Sequence, residues 1–256
     1  MSRRGSFSLL LIAGLIAVVC LSAGCLGEDA HHHPPAPPPP FDEDVHDWIF
    51  IGSGDQTVDT RLSEGLHLLR FHVRKPPLSY PDDSVVKIMT AHTGCMIRGS
   101  FTSGAYEAAE DGGWYGWSQA VMLPEGGNAT IEVRQQGDWS LTLQPPAMIN
   151  GIPPQTFAGV GNAATPFFMI PAGDYSCEIG MAEGNVLGVH LIRSDGRPLM
   201  EDDQQVPLKM HALRDADDIL SIGSYTTTVP VTIHDDDTYL FNIISDGIWS
   251  VTISPV

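Results

Sequence analysis

Beyond residue 46 the apolar residues of this chain fall at every second position in short runs. "WSLTL" at Trp139–Leu143 and "WSVTI" at Trp249–Ile253 alternate apolar residues with Ser or Thr. "HLLRFHV" at His67–Val73 and "YSCEIGM" at Tyr175–Met181 do the same. This is the period-two pattern of half-buried strands. "VHLIRSDGRPL" at Val189–Leu199 reads as a strand closed by a Ser-Asp-Gly turn. No segment keeps a helical period beyond about two turns; "HALRDADDIL" at His211–Leu220 comes closest. With 26 Gly and 20 Pro in 256 residues, the expectation is an all-β chain of short antiparallel strands.

The two Trp runs belong to a longer repeat. Gly137, Trp139, Ser140, Thr142 and Pro145 recur as Gly247, Trp249, Ser250, Thr252 and Pro255, at a constant offset of 110 residues. At the same offset Tyr115, Val121, Leu123, Ile131 and Val133 meet Tyr225, Val231, Ile233, Phe241 and Ile243. "FIGSGD" (Phe50–Asp55) matches "FAGVGN" (Phe157–Asn162), and Leu62 and Gly65 then meet Ile170 and Gly173. An offset of about one ordinary domain implies duplication: modules at 47–146 and 151–256, joined by "PPAMINGIPP" (Pro145–Pro154). Several short strands with regular turn signals in about 100 residues predict an antiparallel β-sandwich for each.

"FFMIPAGDY", "VHLIRSDGRPL" and "DDDTYLFNIISDGIWSVTI" together resemble the jelly-roll-like sandwich repeats of prokaryotic surface proteins. Their layout is similar to that of pre-peptidase C-terminal domains. The resemblance spans most of 157–256 and, more loosely, 50–146. It rests on core and turn residues, so it implies a fold and an accessory role in an exported protein, and names no ligand.

The N-terminus reads as a targeting segment. Arg3 and Arg4 precede an apolar run, Phe7–Leu21, which is short for a bilayer span. "LSAGC" at Leu21–Cys25 resembles a lipobox, the site at which prolipoproteins are cleaved and lipidated, with Ser22 where that pattern prefers Leu. The resemblance implies a signal peptide at 1–24, lipidation of Cys25 and anchoring to the outer face of a membrane. Residues 25–46 form a His- and Pro-rich stalk. Six prolines within Pro34–Pro40 favour polyproline II, and His31–Pro40 then reaches about 30 Å at about 3.1 Å per residue.

Charge narrows the partners. The chain carries 13 basic and 31 acidic residues, a formal charge of −18, and such a surface repels nucleic acid. The expected partners are the membrane, through the lipid, and a surface glycan or protein.

The search for catalysis gives no nucleophile elbow, phosphate loop, His-Glu-x-x-His or Cys-x-x-Cys, so a non-enzymatic protein without a cofactor is expected. Calcium is the alternative cofactor, with Asp215, Asp217 and Asp218 the best-placed loop carboxylates. A metal-binding or enzymatic envelope protein would use these with His31, His32 and His33. Cys177 aligns with Leu69 as a small core residue, and its separation from Cys95 into another module argues against a disulfide. Asn128-Ala129-Thr130 is a glycosylation sequon. "DGGWYGWSQ" (Asp111–Gln119) invites a sugar platform. Its phase turns Tyr115 and Trp117 inward and leaves Trp114 as the lone outward ring and the ligand-binding candidate.

Overall fold

The computed structural model describes residues 47–74, 84–201, 203–215, 217 and 219–256. The Cys25 segment, the stalk with His31, His32 and His33, and Asp218 lie outside them.

The first half runs β1 (Trp48–Ser53), β2 (Gln56–Leu62), β3 (Gly65–Val73), β4 (Ser84–Met89), β5 (Gly94–Gly99), α1 (Ser103–Ala109), β6 (Glu110–Asp111), β7 (Trp114–Leu123), β8 (Gly127–Arg134) and β9 (Asp138–Gln144). One sheet has the order β1-β9-β3-β7-β6 and the other β2-β8-β4-β5. Inward residues of both close over a buried cluster that includes Leu69, Phe71, Ile88, Ile131, Trp139 and Leu141. The helix falls in "SGAYEAA", too short to announce itself by period, and Thr102 caps it by accepting the Ala105 N–H. The His211–Leu220 segment, nearest to a helical pattern in the sequence, is not helical.

The second half runs β10 (Gln155–Val160), β11 (Ala163–Ala164), β12 (Phe168–Ile170), β13 (Gly173–Gly184), β14 (Val186–Arg193), β15 (Met200–Glu201), β16 (Gln204–Gln205), β17 (Pro207–Ala212), β18 (Gly223–Ile233), β19 (Asp237–Ser245) and β20 (Ile248–Pro255). Its sheets are β10-β20-β13-β18 and β11-β19-β14-β17, with β12 also on β19 and β15-β16 a small ribbon. A second cluster, including Phe168, Cys177, Ile179, Phe241, Trp249 and Val251, fills the space between them. The architecture is all-β, built from antiparallel sheets packed as sandwiches.

Register sets residues of the two halves in corresponding places. Gly52 faces Trp139 across β1 and β9, and Gly159 faces Trp249 across β10 and β20. Each indole is buried, and its N–H donates to a carbonyl two residues past that glycine, Gly54 O at 2.9 Å and Gly161 O at 2.8 Å. Both acceptor glycines have positive φ, 68° and 69°, a backbone state that favours glycine. A Cβ on Gly52 or Gly159 would lie 2.3 or 2.5 Å from the indole Cζ2. The Gly-x-Gly of both copies is therefore a seat for one buried Trp. Leu69 pairs with Leu143 and Cys177 with Ile253, and Tyr115 and Tyr225 face Val73 and Met181. Each of these pairs thus occupies matching strand positions in the two halves.

The halves differ at their outer faces. In β4 and β8 alternate residues are less buried, and the outward Lys87 and Glu132 form an ion pair at 3.4 Å. In β14 and β19 both faces are buried over most of the strand. Register places His190 opposite Asn242, where the first half has Lys87 opposite Glu132. Neutral groups replace an ion pair because an unpaired charge is costly away from water. Part of what covers this face is the first half: Asn242 Oδ1 accepts the Ala120 N–H at 3.0 Å, and a Cβ on Gly196 would meet Met122.

Candidate functional site

Strand β7 is hydrogen-bonded to β3 along one side and to the two-residue β6 at its start. The rest of its free edge is taken by the second half. Ser118 N donates to Asn162 O at 3.0 Å, Ala120 N to Asn242 Oδ1, and Ser118 Oγ accepts from Ala164 N at 3.0 Å. Asn162 Nδ2 donates to Arg98 O at 2.6 Å. On the far side of this seam Thr102 N donates to Asp246 O at 2.8 Å, and the Thr102 hydroxyl donates to Glu183 O. Phe101 packs so close to Gly161 that a Cβ there would lie 2.6 Å from its ring.

Beside the seam is an open groove of about 460 Å³, walled by Arg70, His72, Gly116 and Ser118 from the first half and by β10, Asn162 and Thr165 from the second. Arg70, His72 and Arg74 alternate with buried Phe71 and Val73, so β3 turns all three to its outer face. In a chain so short of cations this sets two guanidinium charges, Arg70 and Arg74, on one face with His72 between them. Among the described residues Arg70 has no ion-pair partner. The His72 ring rests over Gly116, where a Cβ would come within 2.7 Å of it. Partial burial there, with the Arg70 charge beside it, holds its pKa below the usual value against the pull of Asp111. The arrangement is suited to hold an anionic group. The alternation of "RFHVR" (Arg70–Arg74) is the trace of this face in the sequence.

Trp114, Tyr115 and Trp117 do not form a platform. Tyr115 and Trp117 are buried, at 5% and 4% exposure, the latter over Gly99 and against Phe71 and Phe101. Trp114 is half-buried on the opposite face of β7, with the Arg74 guanidinium 4.6 Å from its ring centre. The β3–β7 register runs unbroken through Gly116. One ring already covered by a cation gives a sugar little to stack on.

Asp215 uses its Oδ1 to accept the N–H groups of Asp217 and Ile219, at 2.9 and 3.0 Å. The carboxylate thus holds its own turn, while Asp217 is exposed. No group of three His, Cys, Asp or Glu gathers as a metal site among the described residues. Asn128 is exposed as the second residue of β8, between the buried Ala129 and the turn. Cys95 and Cys177 are free thiols, and burial pushes them up to about 11 and 12. His67 is buried on β3, with its ring edge-on to Trp48 at 5.5 Å between centroids.

No protein-family model matches the chain, and no curated protein matches it. Among solved structures it is similar to dimeric latent PorU from Porphyromonas gingivalis at 9% identity and a TM-score of 0.23. The match covers 80% of this chain and 21% of that one, so the chain spans about a fifth of its length.

Proposed function

We propose that the chain is a non-enzymatic, lipid-anchored cell-surface protein that holds two β-sandwiches away from an outer membrane face for binding or spacing. One observation carries the reading: the lipobox-like Leu21–Cys25 is followed directly by a proline stalk and then by a strand-built body beginning at Trp48. A lipid pair on Cys25 gives stable anchoring where one acyl chain would not, and the stalk sets the standoff. Mass spectrometry of the mature N-terminus tests this. The expected product begins at a lipid-modified Cys25, and Cys25→Ser moves the protein from the membrane fraction to the medium. An unmodified N-terminus downstream of Cys25 refutes it.

The groove favours a second reading, carbohydrate binding directed to an acidic surface glycan. Arg70 supplies the charge, and His72, Ser118, Asn162 and Thr165 supply hydrogen-bonding groups. Retention on a polyuronate column, lost in Arg70→Ala/His72→Ala and reduced by salt, is the expected result. Equal retention of the double variant removes this reading.

A further inference from the structure

The seam between the halves joins unlike surfaces: the free edge of β7 on one side, and Asn162, Ala164 and Asn242 on the other. A heterologous contact of this kind is open-ended whenever its two surfaces remain available at the ends. Duplication leaves both available here. The second half carries an edge equivalent to β7, namely β18, at the border of its sheet. The first half carries a face equivalent to Asn162, Ala164 and Asn242. Register identifies it as Asp55, Thr57 and Glu132, since Thr57 pairs with Glu132 as Ala164 pairs with Asn242.

We infer that these two free ends are disabled copies of the seam, so that the chain does not add further copies of itself head to tail. The decisive position is Pro230. Leu68 pairs with Ala120 and Ser176 with Pro230, so Pro230 stands where Ala120 donates its N–H across the seam. Proline has no N–H to give, and an edge strand tolerates it; two residues on, the outward Thr232 N–H of the same edge is already taken by Glu201 Oε1 at 3.0 Å.

The opposite face is altered in a matching way. Asp55 keeps the acceptor role of Asn162: its Oδ1 takes the Gln135 N–H at 3.1 Å, as Asn162 Oδ1 takes the Ser245 N–H at 2.9 Å. A carboxylate has no counterpart of the Nδ2 donor that reaches Arg98 O. Glu132 stands for Asn242 and brings an ion pair with Lys87 in place of a neutral amide, and Thr57 adds bulk where Ala164 sits against β7. The face lies open, lined by Asp55, Gln56, Thr57, Glu132, Val133 and Arg134, as a groove of about 310 Å³. Burying these charged groups in a seam is unfavourable unless each finds a partner there. Terminal units of stacked arrays are modified in this sense to stay soluble.

Sedimentation velocity of the full chain bearing Cys25→Ser, so that no lipid drives association, from low to high micromolar concentration, tests the inference. This parent chain is expected to sediment as one monomer throughout, whereas Asp55→Asn/Glu132→Asn/Pro230→Ala added to it self-associates as concentration rises. A parent chain that associates, or a folded triple variant as monomeric as the parent, overturns it. The reverse exchange, Ala120→Pro/Asn162→Asp, puts both stops into the internal seam and leaves the β3–β7 ladder intact. It should split thermal unfolding into two transitions, and one unshifted transition also overturns the inference. Neither readout depends on Cys25 or on a glycan, so its failure and that of the proposed function are distinct.

Discussion

The side-chain amide of Asn162 donates to the Arg98 carbonyl at 2.6 Å, while its oxygen accepts the Ser245 N–H at 2.9 Å. The oxygen keeps the turn of its own half and the nitrogen ties that half to the other. Asp55 performs only the first task. Asn162→Asp should therefore keep the turn and set a carboxylate oxygen against Arg98 O. The expected cost is about 2 kcal/mol, read as loss of cooperativity between the halves in urea unfolding. Asp55→Asn should change stability little.

The two Trp seats give the largest expected effects. Trp139→Ala or Trp249→Ala should cost about 3–5 kcal/mol. Gly52→Ala and Gly159→Ala force a methyl group into the same indoles and should cost about 1–3 kcal/mol each. Denaturant midpoints of the four variants decide this; alanine at either glycine with no loss of stability would contradict the packing.

Acid should weaken the fold through buried histidine. His190 is held at about 4 by burial, and His67 is lowered by burial despite its contact with the Ser63 carbonyl. A lowered folded-state pKa means that the unfolded chain binds the proton more tightly. Stability is then full above about pH 6.5 and falls as pH drops toward 4, with His190 contributing about 3 kcal/mol. Urea titrations at pH 7 and pH 4.5 measure the loss, and His190→Gln should shrink it.

Buried thiols are slow nucleophiles, because the thiolate is the reactive form. Cys95 and Cys177 should resist alkylation in the native protein at neutral pH and react at once in denaturant. Cys177→Val should be tolerated, as the Leu at its counterpart position 69 implies. Rapid native labelling of Cys177 would show that its strand opens.

The repeat was legible because turn and core residues obey local rules. Glycine at positive φ, indoles facing glycine and alternating apolar residues leave marks that one copy confirms in the other. Tyr115 and Trp117 could be assigned inward from Val121, Leu123 and their partners. The seam was not legible this way, since it depends on three-dimensional neighbours. One trace was present: "VLGVHLIR" and "YLFNII" lose the alternation that "SVVKIM" and "TIEVR" retain, as strands buried on both faces do. Asn162 against Asp55 and Pro230 against Ala120 looked like ordinary drift between copies until the hydrogen bonds gave each difference a role. The helix at Ser103–Ala109 escaped because its seven residues are stabilised by a cap and by neighbouring strands, with too little period of their own.

The burial of β14 and β19 on both faces also gives synthesis a direction. Asn242 points away from its own core onto the Ala120 N–H, and Gly196 lies against Met122, so part of the outer surface of the later half is finished only when the earlier one lies beside it. A chain that emerges N-terminus first, as nascent chains do, meets this need in the right order. Strands β1–β9 are complete before β14 appears, and the free edge of β7 is a ready template on which the second sandwich closes. With the halves exchanged in sequence, the dependent half would have to wait, that surface unfinished, for its support.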